Sequence, residues 1–278
     1  MLASGQPGPY SVVVDGTNVY WTDDTGMDVR SVPLGGGSVT TLVTGARNAR
    51  AMAQDASYIY WADYAASPNG NSLWRVLKTG GAATALTTYP NVGNVHSMVC
   101  DGTYVYWTDS TNLDLRRVPV GGGAPTLLRT GFTNPTGLDQ DATRLVTADN
   151  GSQVFVDNKP GASPICNFFE GCVQEVAFGG ASEYVQEPCF SRICAFSAGC
   201  GLTAIMNVPT NAPGRIAADA SYVYFTENTG TGGVRKISPS AGATPIANQQ
   251  CFPLGIAVDA TWAYWSENGG GRIRRALK

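Results

Sequence analysis

Hydrophobic and polar residues alternate over short runs along the chain, and turn residues separate the runs. The first clear example is "VVVDGTNVYWTDDTG", from Val12 to Gly26, in which β-branched and aromatic residues flank an Asp-Gly pair. Alternation with a period of two on both sides of such a pair is typical of two antiparallel strands joined by a tight turn. The pattern therefore predicts a β-hairpin here.

The same hairpin recurs along the chain. The Asp of the turn marks each copy. Clear copies have this Asp at Asp15, Asp55, Asp101, Asp219 and Asp259, and a weaker copy has it at Asp141. These markers are 40, 46, 40, 78 and 40 residues apart, so the gap of 78 predicts a further copy near residue 180. There, "EVAFGGASEYVQE" keeps the apolar strand and the small-residue turn without Tyr-Trp-Thr-Asp. Seven copies are predicted.

Each copy contains four short apolar runs. In the first copy they are "SVVV", "VYWT", "VRSVPL" and "TTLVT", separated by turn residues. Four short strands in a period of about 40 residues are the signature of a propeller blade. Residues 2–4 align with a fourth strand, whereas the last copy stops after its third strand at "GRIRRALK". We expect an all-β, single-domain, seven-bladed propeller over residues 1–278, with four-stranded antiparallel blades and an N-terminal strand that completes the last blade.

Composition and charge agree with this fold and exclude several functions. Hydrophobic residues make up 43% of the chain and charged residues 14%, and 34 glycines accompany few helix-forming residues. The net charge is −3 with 18 basic residues spread thinly, which argues against nucleic-acid binding. No apolar run approaches the ~20 residues that cross a bilayer, so no membrane insertion is expected. We expect a monomer.

Six of the seven cysteines lie in one third of the chain. This clustering favours disulfides and an extracellular, periplasmic or cell-surface location, although "MLASGQPGPY" has no export signal. A zinc site is the alternative, but it would need CxxC pairs or nearby histidines, and His96 is the only histidine. Six cysteines allow 15 pairings, so connectivity stays open. The disulfide candidates are Cys166, Cys172, Cys189, Cys194, Cys200 and Cys251.

The repeated motif resembles that of a known family. "YWTD" at Tyr20–Asp23 and Tyr106–Asp109, with "YWAD", "YFTE" and "YWSE" in other copies, resembles the YWTD propellers of the low-density-lipoprotein receptor class and their secreted bacterial relatives. The receptor propellers have six blades, whereas seven are counted here. The resemblance implies an extracellular binding scaffold and no particular ligand.

Most of the motif is explained by packing. Side chains alternate along a strand, so Tyr20 and Thr22 should face one neighbouring blade, and Val19 and Trp21 the other. The acids that end the motif should accept hydrogen bonds from loop backbone. An acidic collar around Ca²⁺ is the alternative, but dispersal around the ring argues against it, and we expect no metal or cofactor. These acids are Asp23, Asp63, Asp109, Asp149, Glu227 and Glu267.

Residues that differ among copies are the candidates for a site. The informative column lies five residues before each turn marker, at the mouth of the central channel on the face that bears the loops between the second and third strands. A long loop of the second copy adds Tyr64 to this face. The ligand-binding candidates are Tyr10, Arg50, His96, Thr136, Glu175 and Tyr64. Weak packing constraint at a channel mouth is the other explanation of the variation.

Three functions fit this arrangement. The first is a non-enzymatic binding module for a protein, peptide or glycan. The second is a small-molecule lyase or hydrolase with His96 and Glu175 as acid-base pair and Arg50 as clamp, since some streptogramin-lyase-type propellers are similar in using a His at this mouth. The third is a structural propeller of a larger surface protein.

Overall fold

The computed structural model describes residues 1–63, 72–87, 92–150, 153–159, 165–166, 172–180, 182–197, 201–208 and 213–278. They form seven antiparallel sheets, the blades. Blade one contains β1 (Pro9–Val14), β2 (Asn18–Asp23), β3 (Asp28–Pro33) and β4 (Thr40–Thr44). Blade two contains β5 (Met52–Gln54), β6 (Tyr58–Asp63), β7 (Ser72–Leu77) and β8 (Thr84–Ala85). Blade three contains β9 (Val95–Cys100), β10 (Tyr104–Asp109), β11 (Asp114–Pro119) and β12 (Thr126–Thr130).

Blade four contains β13 (Pro135–Gln140), β14 (Arg144–Asp149), β15 (Gln153–Asn158) and β16 (Ile165–Cys166). Blade five contains β17 (Glu175–Gly179), β18 (Ser182–Glu187), the 3₁₀ helix η1 (Pro188–Phe190), β19 (Arg192–Phe196) and β20 (Leu202–Asn207). Blade six contains β21 (Pro213–Ala218), β22 (Val223–Glu227), β23 (Gly232–Ser238) and β24 (Ala241–Gln250). Blade seven contains β25 (Pro253–Val258), β26 (Trp262–Glu267) and β27 (Arg272–Leu277).

The blades form a ring around a central channel. The first strand of each blade contacts the first strand of the next, and β25 contacts β1. The top face carries the loops between second and third strands, and the bottom face carries the turns between first and second strands. The predicted seven-bladed β-propeller is confirmed. No helix in the described part of the chain has the length and hydrophobicity that a transmembrane span requires.

The chain start lies beside the last blade. The Leu2 N–H donates to the Ile273 carbonyl at 2.8 Å, and the Ile273 N–H donates to the Ala3 carbonyl at 3.1 Å. These bonds form an isolated bridge rather than a strand, so blade seven has three strands and a short N-terminal contact.

The Tyr and Trp of the motif fill the interfaces between adjacent blades. Tyr20 and Trp21 are fully buried although they follow each other along β2. Tyr20 packs in a cluster with Trp61 of blade two, whereas Trp21 packs with Tyr264 of blade seven. The predicted alternation is confirmed, and each ring removes ~150 to 250 Å² from water.

The degenerate copy near residue 180 forms a full four-stranded blade. Tyr184 pairs with β17 as Tyr20 pairs with β1, so it occupies the motif Tyr position. Glu187 is buried at the end of β18, as Asp23 is at the end of β2. This copy therefore keeps the first and last residue types of the motif, and Val and Gln replace the Trp and Thr.

The acids that end the motif bind loop backbone. Asp23 Oδ1 accepts the N–H groups of Gly8 and Gly26 at 2.9 and 2.7 Å. The Glu227 carboxylate accepts a hydrogen bond from the Arg235 side chain at 2.7 Å. Among the described residues, no group of three or more ligating side chains could hold a metal ion. The same backbone role is found at Asp109, Asp149 and Glu267.

The cysteine prediction is wrong at two positions. Cys172 and Cys189 form a disulfide, which joins the connector entering β17 to the loop after β18. Cys194, however, is a free thiol buried in β19, where it donates to the Glu187 carboxylate at 3.0 Å. Cys251 is also free and packs against a loop of blade seven. Cys194 and Cys251 lie in different parts of the ring, because Cys194 is in β19 of blade five and Cys251 lies between β24 and β25.

The remaining disulfide candidates are less fully described. Cys166 ends β16, and its pairing stays a prediction. Cys200 lies outside the described residues.

A lysine links blades one and two on the bottom face. Asp15 Oδ1 accepts the N–H groups of Thr17 and Asn18, while Oδ2 accepts the Tyr20 hydroxyl at 3.0 Å and the Lys78 ammonium at 2.8 Å. Burial alone would raise the pKa of Asp15, but these hydrogen bonds outweigh it and hold that pKa well below its usual range. The pair therefore favours folding when Asp15 is ionised.

We expect Lys78→Met to lower the free energy of unfolding at pH 7 by about 1 kcal/mol, because it removes a partly buried ion pair. A depressed carboxyl pKa stabilises the fold above the unfolded value of about 4, and this contribution is lost as pH falls below it. The free energy of unfolding, measured with urea between pH 7 and pH 2, should decrease less with falling pH in the variant than in the wild type.

The matched control for this experiment is Lys236→Met, which removes a lysine that lies over the Tyr222 ring at 4.7 Å. It should leave the pH dependence of unfolding as in the wild type. Equal acid slopes for wild type and Lys78→Met would contradict the assignment.

Candidate functional site

A cavity of about 380 Å³ occupies the central channel. Its walls are apolar side chains of the inner strands, including Met52, Met98 and Ile216. Charged and polar side chains line it as well, namely Arg50, His96, Asp139, Glu175 and Arg215. The channel thus combines an apolar wall with a few charged groups, as ligand pockets commonly do.

A β-bulge at the start of several inner strands sets the geometry of the channel mouth. In blade six, Pro213 pairs with Glu227 and Ile216 with Phe225, so two residues of β21 face one residue of β22. A bulge re-aims side chains and bends the strand. Arg215 therefore lines the cavity, one residue after Gly214, which lies five residues before the turn marker Asp219.

Blade five lacks this bulge. Glu175 pairs directly with Gln186, and the ladder continues without a shift. Glu175 and Arg215 each lie one residue before the partner of the second motif residue, Val185 or Phe225. They therefore occupy equivalent positions in adjacent blades. The turn of the degenerate copy lies one residue earlier than the marker at residue 180, so Glu175 aligns with Arg215 and not with Gly214.

The third residue of the motif fixes the bulge. Thr226 Oγ1 accepts the N–H of Arg215 at 3.1 Å and donates to the Leu254 carbonyl of the next blade at 2.9 Å. Ser266 makes the corresponding donation to the Tyr10 carbonyl at 2.7 Å. Each such hydroxyl joins two blades at the channel mouth, a role that sequence reasoning assigned to packing alone.

Arg215 and Glu175 form an ion pair in the channel. Arg215 Nη1 lies 2.6 Å from Glu175 Oε1, and their side chains are 25% and 17% exposed. The Glu175 charge raises the pKa of Arg215, and a hydrogen bond to the Tyr10 hydroxyl adds to this effect. Burial raises the pKa of Glu175, and Arg215 offsets part of that increase. The pair fixes one positive and one negative group in the channel.

Arg50 is the more accessible cation. Its guanidinium lies over the Tyr10 ring, 5.5 Å from the centroid, and 3.4 Å from a carboxylate oxygen of Asp24. The side chain remains 53% exposed, so this contact is a weak surface pair. Arg50 can therefore turn toward an anionic or polar group at the mouth.

His96 lies in a positive environment. Burial lowers the pKa of His96, and the charges of Arg215 and Arg50 lower it further. The imidazole is therefore neutral at pH 7 and offers one donor and one acceptor to the channel.

Asp139 is a site residue that sequence reasoning missed. Its carboxylate accepts the backbone N–H groups of Phe178 and Gln140 at 2.7 and 2.8 Å. Burial raises the pKa of Asp139 to about 6, and the nearby Glu175 charge contributes to the increase. The column favoured Thr136 in this blade, because the period alone does not show which strand positions face the channel.

The other sequence candidates have different places. The Thr136 hydroxyl lies 3.4 Å from the carbonyls of Ala148 and Val173 and does not line the cavity. The Tyr10 ring supports Arg50 from below. Tyr64 lies outside the described residues. The ligand-binding roles of all these residues stay predictions.

Comparison with known proteins supports the fold alone. No protein-family model and no curated protein matches the chain. Virginiamycin B lyase from Staphylococcus aureus is similar in structure, with 17% identity, a TM-score of 0.83, and coverage of 100% of this chain and 97% of that one. Its catalytically inactive histidine-to-alanine variant with Quinupristin is similar at 16% identity and a TM-score of 0.84, with coverage of 100% of this chain and 98% of that one. A chain of a nidogen/laminin complex is similar at 18% identity and a TM-score of 0.68, with coverage of 84% of this chain and 93% of that one.

We expect the single histidine to titrate below its usual pKa of about 6.5. Arg50→Gln should raise the pKa of His96, because it removes a nearby positive charge that disfavours the imidazolium. A pH titration of the histidine ring resonances by NMR measures both values without assignment, since the chain has 1 His.

The control is Arg47→Gln, which neutralises an exposed arginine three residues away that does not line the cavity. It should leave the titration unchanged. An unshifted histidine in the wild type, or an equal shift in both variants, would refute the electrostatic description.

Proposed function

We propose that the protein is a non-enzymatic binding module that receives a polar group of a protein, peptide or glycan at the channel mouth. The observation that carries this proposal is the placement of Arg50, His96 and Glu175 on one cavity of about 380 Å³. Arg215 adds a second cation. An apolar wall with a few fixed polar groups suits selective binding of a group that enters the ring.

The ion pair favours binding over acid-base catalysis. Arg215 occupies the Glu175 carboxylate at 2.6 Å. A His96–Glu175 acid-base pair would require that ion pair to open, which leaves a largely buried charge unpaired at a cost of several kcal/mol. A preorganised ion pair, by contrast, supplies both a donor and an acceptor to a ligand without rearrangement.

An extracellular setting is part of this proposal. The Cys172–Cys189 disulfide is of a kind that persists in oxidising compartments. The YWTD resemblance and the similar chain of a nidogen/laminin complex also support a secreted interaction module. The partner would approach the top face, where the channel opens.

A second candidate is a small-molecule lyase. It is favoured by the neutral His96 in the channel and by the similar lyase structures, one of which loses activity when a histidine becomes alanine. In this chain His96 would accept a proton from the substrate, and Arg50 would stabilise the negative charge that develops.

We expect the combined substitution Tyr10→Ala, Arg50→Ala and His96→Ala to weaken binding of the cognate ligand by at least about tenfold, because it removes a cation, a donor and their support. Glycan-array and peptide-array screens, followed by calorimetry on hits, would measure this. Exposed Arg47→Ala is the matched control. If every hit binds the triple variant normally, the proposed site is wrong.

The lyase candidate has its own assay. Incubation with Quinupristin, followed by chromatography and mass spectrometry, should yield no new product if the protein only binds. A product formed by the wild type and lost in His96→Ala would instead establish catalysis and overturn the non-enzymatic proposal.

A further inference from the structure

Lysine side chains occupy a repeated site on the bottom face. In three blades, the turn Asp between the first and second strands binds the ammonium group of a lysine from the next blade. This lysine directly follows the third strand of that blade. These pairs are Lys78 with Asp15 at 2.8 Å, Lys159 with Asp101 at 3.5 Å, and Lys278 with Asp219 at 2.6 Å.

The site has the same construction each time, and we call it the Asp-Tyr cradle. One carboxylate oxygen accepts two backbone N–H groups of the turn, and the other accepts the hydroxyl of the motif Tyr, as at Asp219. The lysine Nζ also lies 5.2 to 5.4 Å from the centroid of that Tyr ring. Carboxylate and ring together favour a cation.

Blade two has the cradle without the lysine. Asp55 Oδ1 accepts the N–H groups of Ser57 and Tyr58 at 2.7 Å each. Its Oδ2 accepts the Tyr60 hydroxyl at 2.6 Å. No lysine or arginine among the described residues forms an ion pair with this carboxylate.

Val120 stands where the lysine would be. The Val120 N–H donates to the Thr103 carbonyl at 3.0 Å, as the Lys78 N–H donates to the Ser57 carbonyl at 2.9 Å. Both residues directly follow the third strand of their blades, β11 and β7. The two positions are therefore equivalent, and one carries an ammonium while the other carries an apolar side chain.

A cavity of about 420 Å³ lies at this position. Its lining includes Asp55, Tyr58 and Val120, with Gly102 and Gly121 beside them. The cavity thus offers a carboxylate, an aromatic ring and a short apolar wall to a group that enters from solvent.

We propose that this cavity binds an alkylammonium group, the chemistry that a partner's lysine side chain or a free primary amine presents. The Asp-Tyr cradle holds that same group in three other blades of this chain. The site lies on the face opposite the channel mouth, so it is independent of the proposed function.

Arg75 lines the same cavity without filling the cradle. Its guanidinium lies over the Tyr58 ring at 4.9 Å and donates to the Val120 carbonyl. In blade three, Arg117 lies over Tyr104 at 4.2 Å in the equivalent arrangement, and Lys159 still reaches the cradle there. An arginine in this place is therefore compatible with a bound ammonium.

The remaining turn acids already have cations near them. Arg144 donates to Asp141 at 2.5 Å. The Lys278 ammonium donates to the backbone carbonyl of Asp259 at 2.6 Å. Burial raises the pKa of the Asp259 carboxyl, and the Lys278 charge helps to lower it. Asp55 is thus the turn acid best placed to accept a cation from outside.

The direct test is an NMR titration of the ¹⁵N-labelled protein with n-butylammonium chloride. The amide resonances of Ser57 and Tyr58 should shift in a saturable way, whereas those of Thr17 and Asn18 at the occupied Asp15 cradle should not. Sodium chloride and n-butanol, matched in concentration, should leave Ser57 and Tyr58 in place. Equal shifts at both cradles, or none at either, would overturn the proposal.

Two variants make the test independent of a single substitution. Val120→Lys should supply the missing ammonium internally, abolish the n-butylammonium response and raise the melting temperature by roughly 2 °C. Lys78→Met should create a new response at Thr17 and Asn18. A Val120→Lys protein that still responds to the amine would overturn the site.

A comparison of probes separates the two sources of the ammonium. N-acetyl-lysine methylamide carries the group on a peptide backbone, and n-butylammonium carries it free. Tighter binding of the lysine derivative would assign the site to a partner's lysine, and tighter binding of n-butylammonium would assign it to a free amine. Asp55→Asn should weaken both by about tenfold, because the charge-assisted bond is lost.

Discussion

Packing of a Tyr of one blade against a Trp of the next holds the ring together. Tyr20 with Trp61 and Trp21 with Tyr264 show that each motif strand contributes to two interfaces at once. Because a propeller blade buries both of its faces, neither side of the strand can become polar without loss of an interface. Chemistry is therefore confined to strand ends and turns.

The polar residues of the motif order the top and bottom faces of the ring through hydrogen bonds. On the top face, hydroxyls such as that of Thr226 hold the bulge of one blade and the carbonyl of the next. On the bottom face, the motif Tyr hydroxyl orients a turn Asp. The same strand therefore positions the channel mouth at one end and the Asp-Tyr cradle at the other.

Electrostatics differ between the two faces. In the channel, His96 is neutral because burial and two arginines disfavour its charged form. At the bottom, Asp15 stays ionised because an ammonium and backbone N–H groups outweigh burial. Both sites arise where the blades differ in sequence, since a position that is free of packing constraint can carry residues of different charge in different blades.

The sequence by itself determined the blade number, the orientation of Tyr and Trp, and the backbone role of acids such as Asp23, because these follow from a period of about 40 and from alternation along a strand. Only the tertiary structure decided that Arg215 and Asp139 line the channel and that Cys194 and Cys251 are unpaired. A bulge shifts the register by one residue, and side chains from different blades meet across the ring. Neither effect leaves a signal in a single repeat.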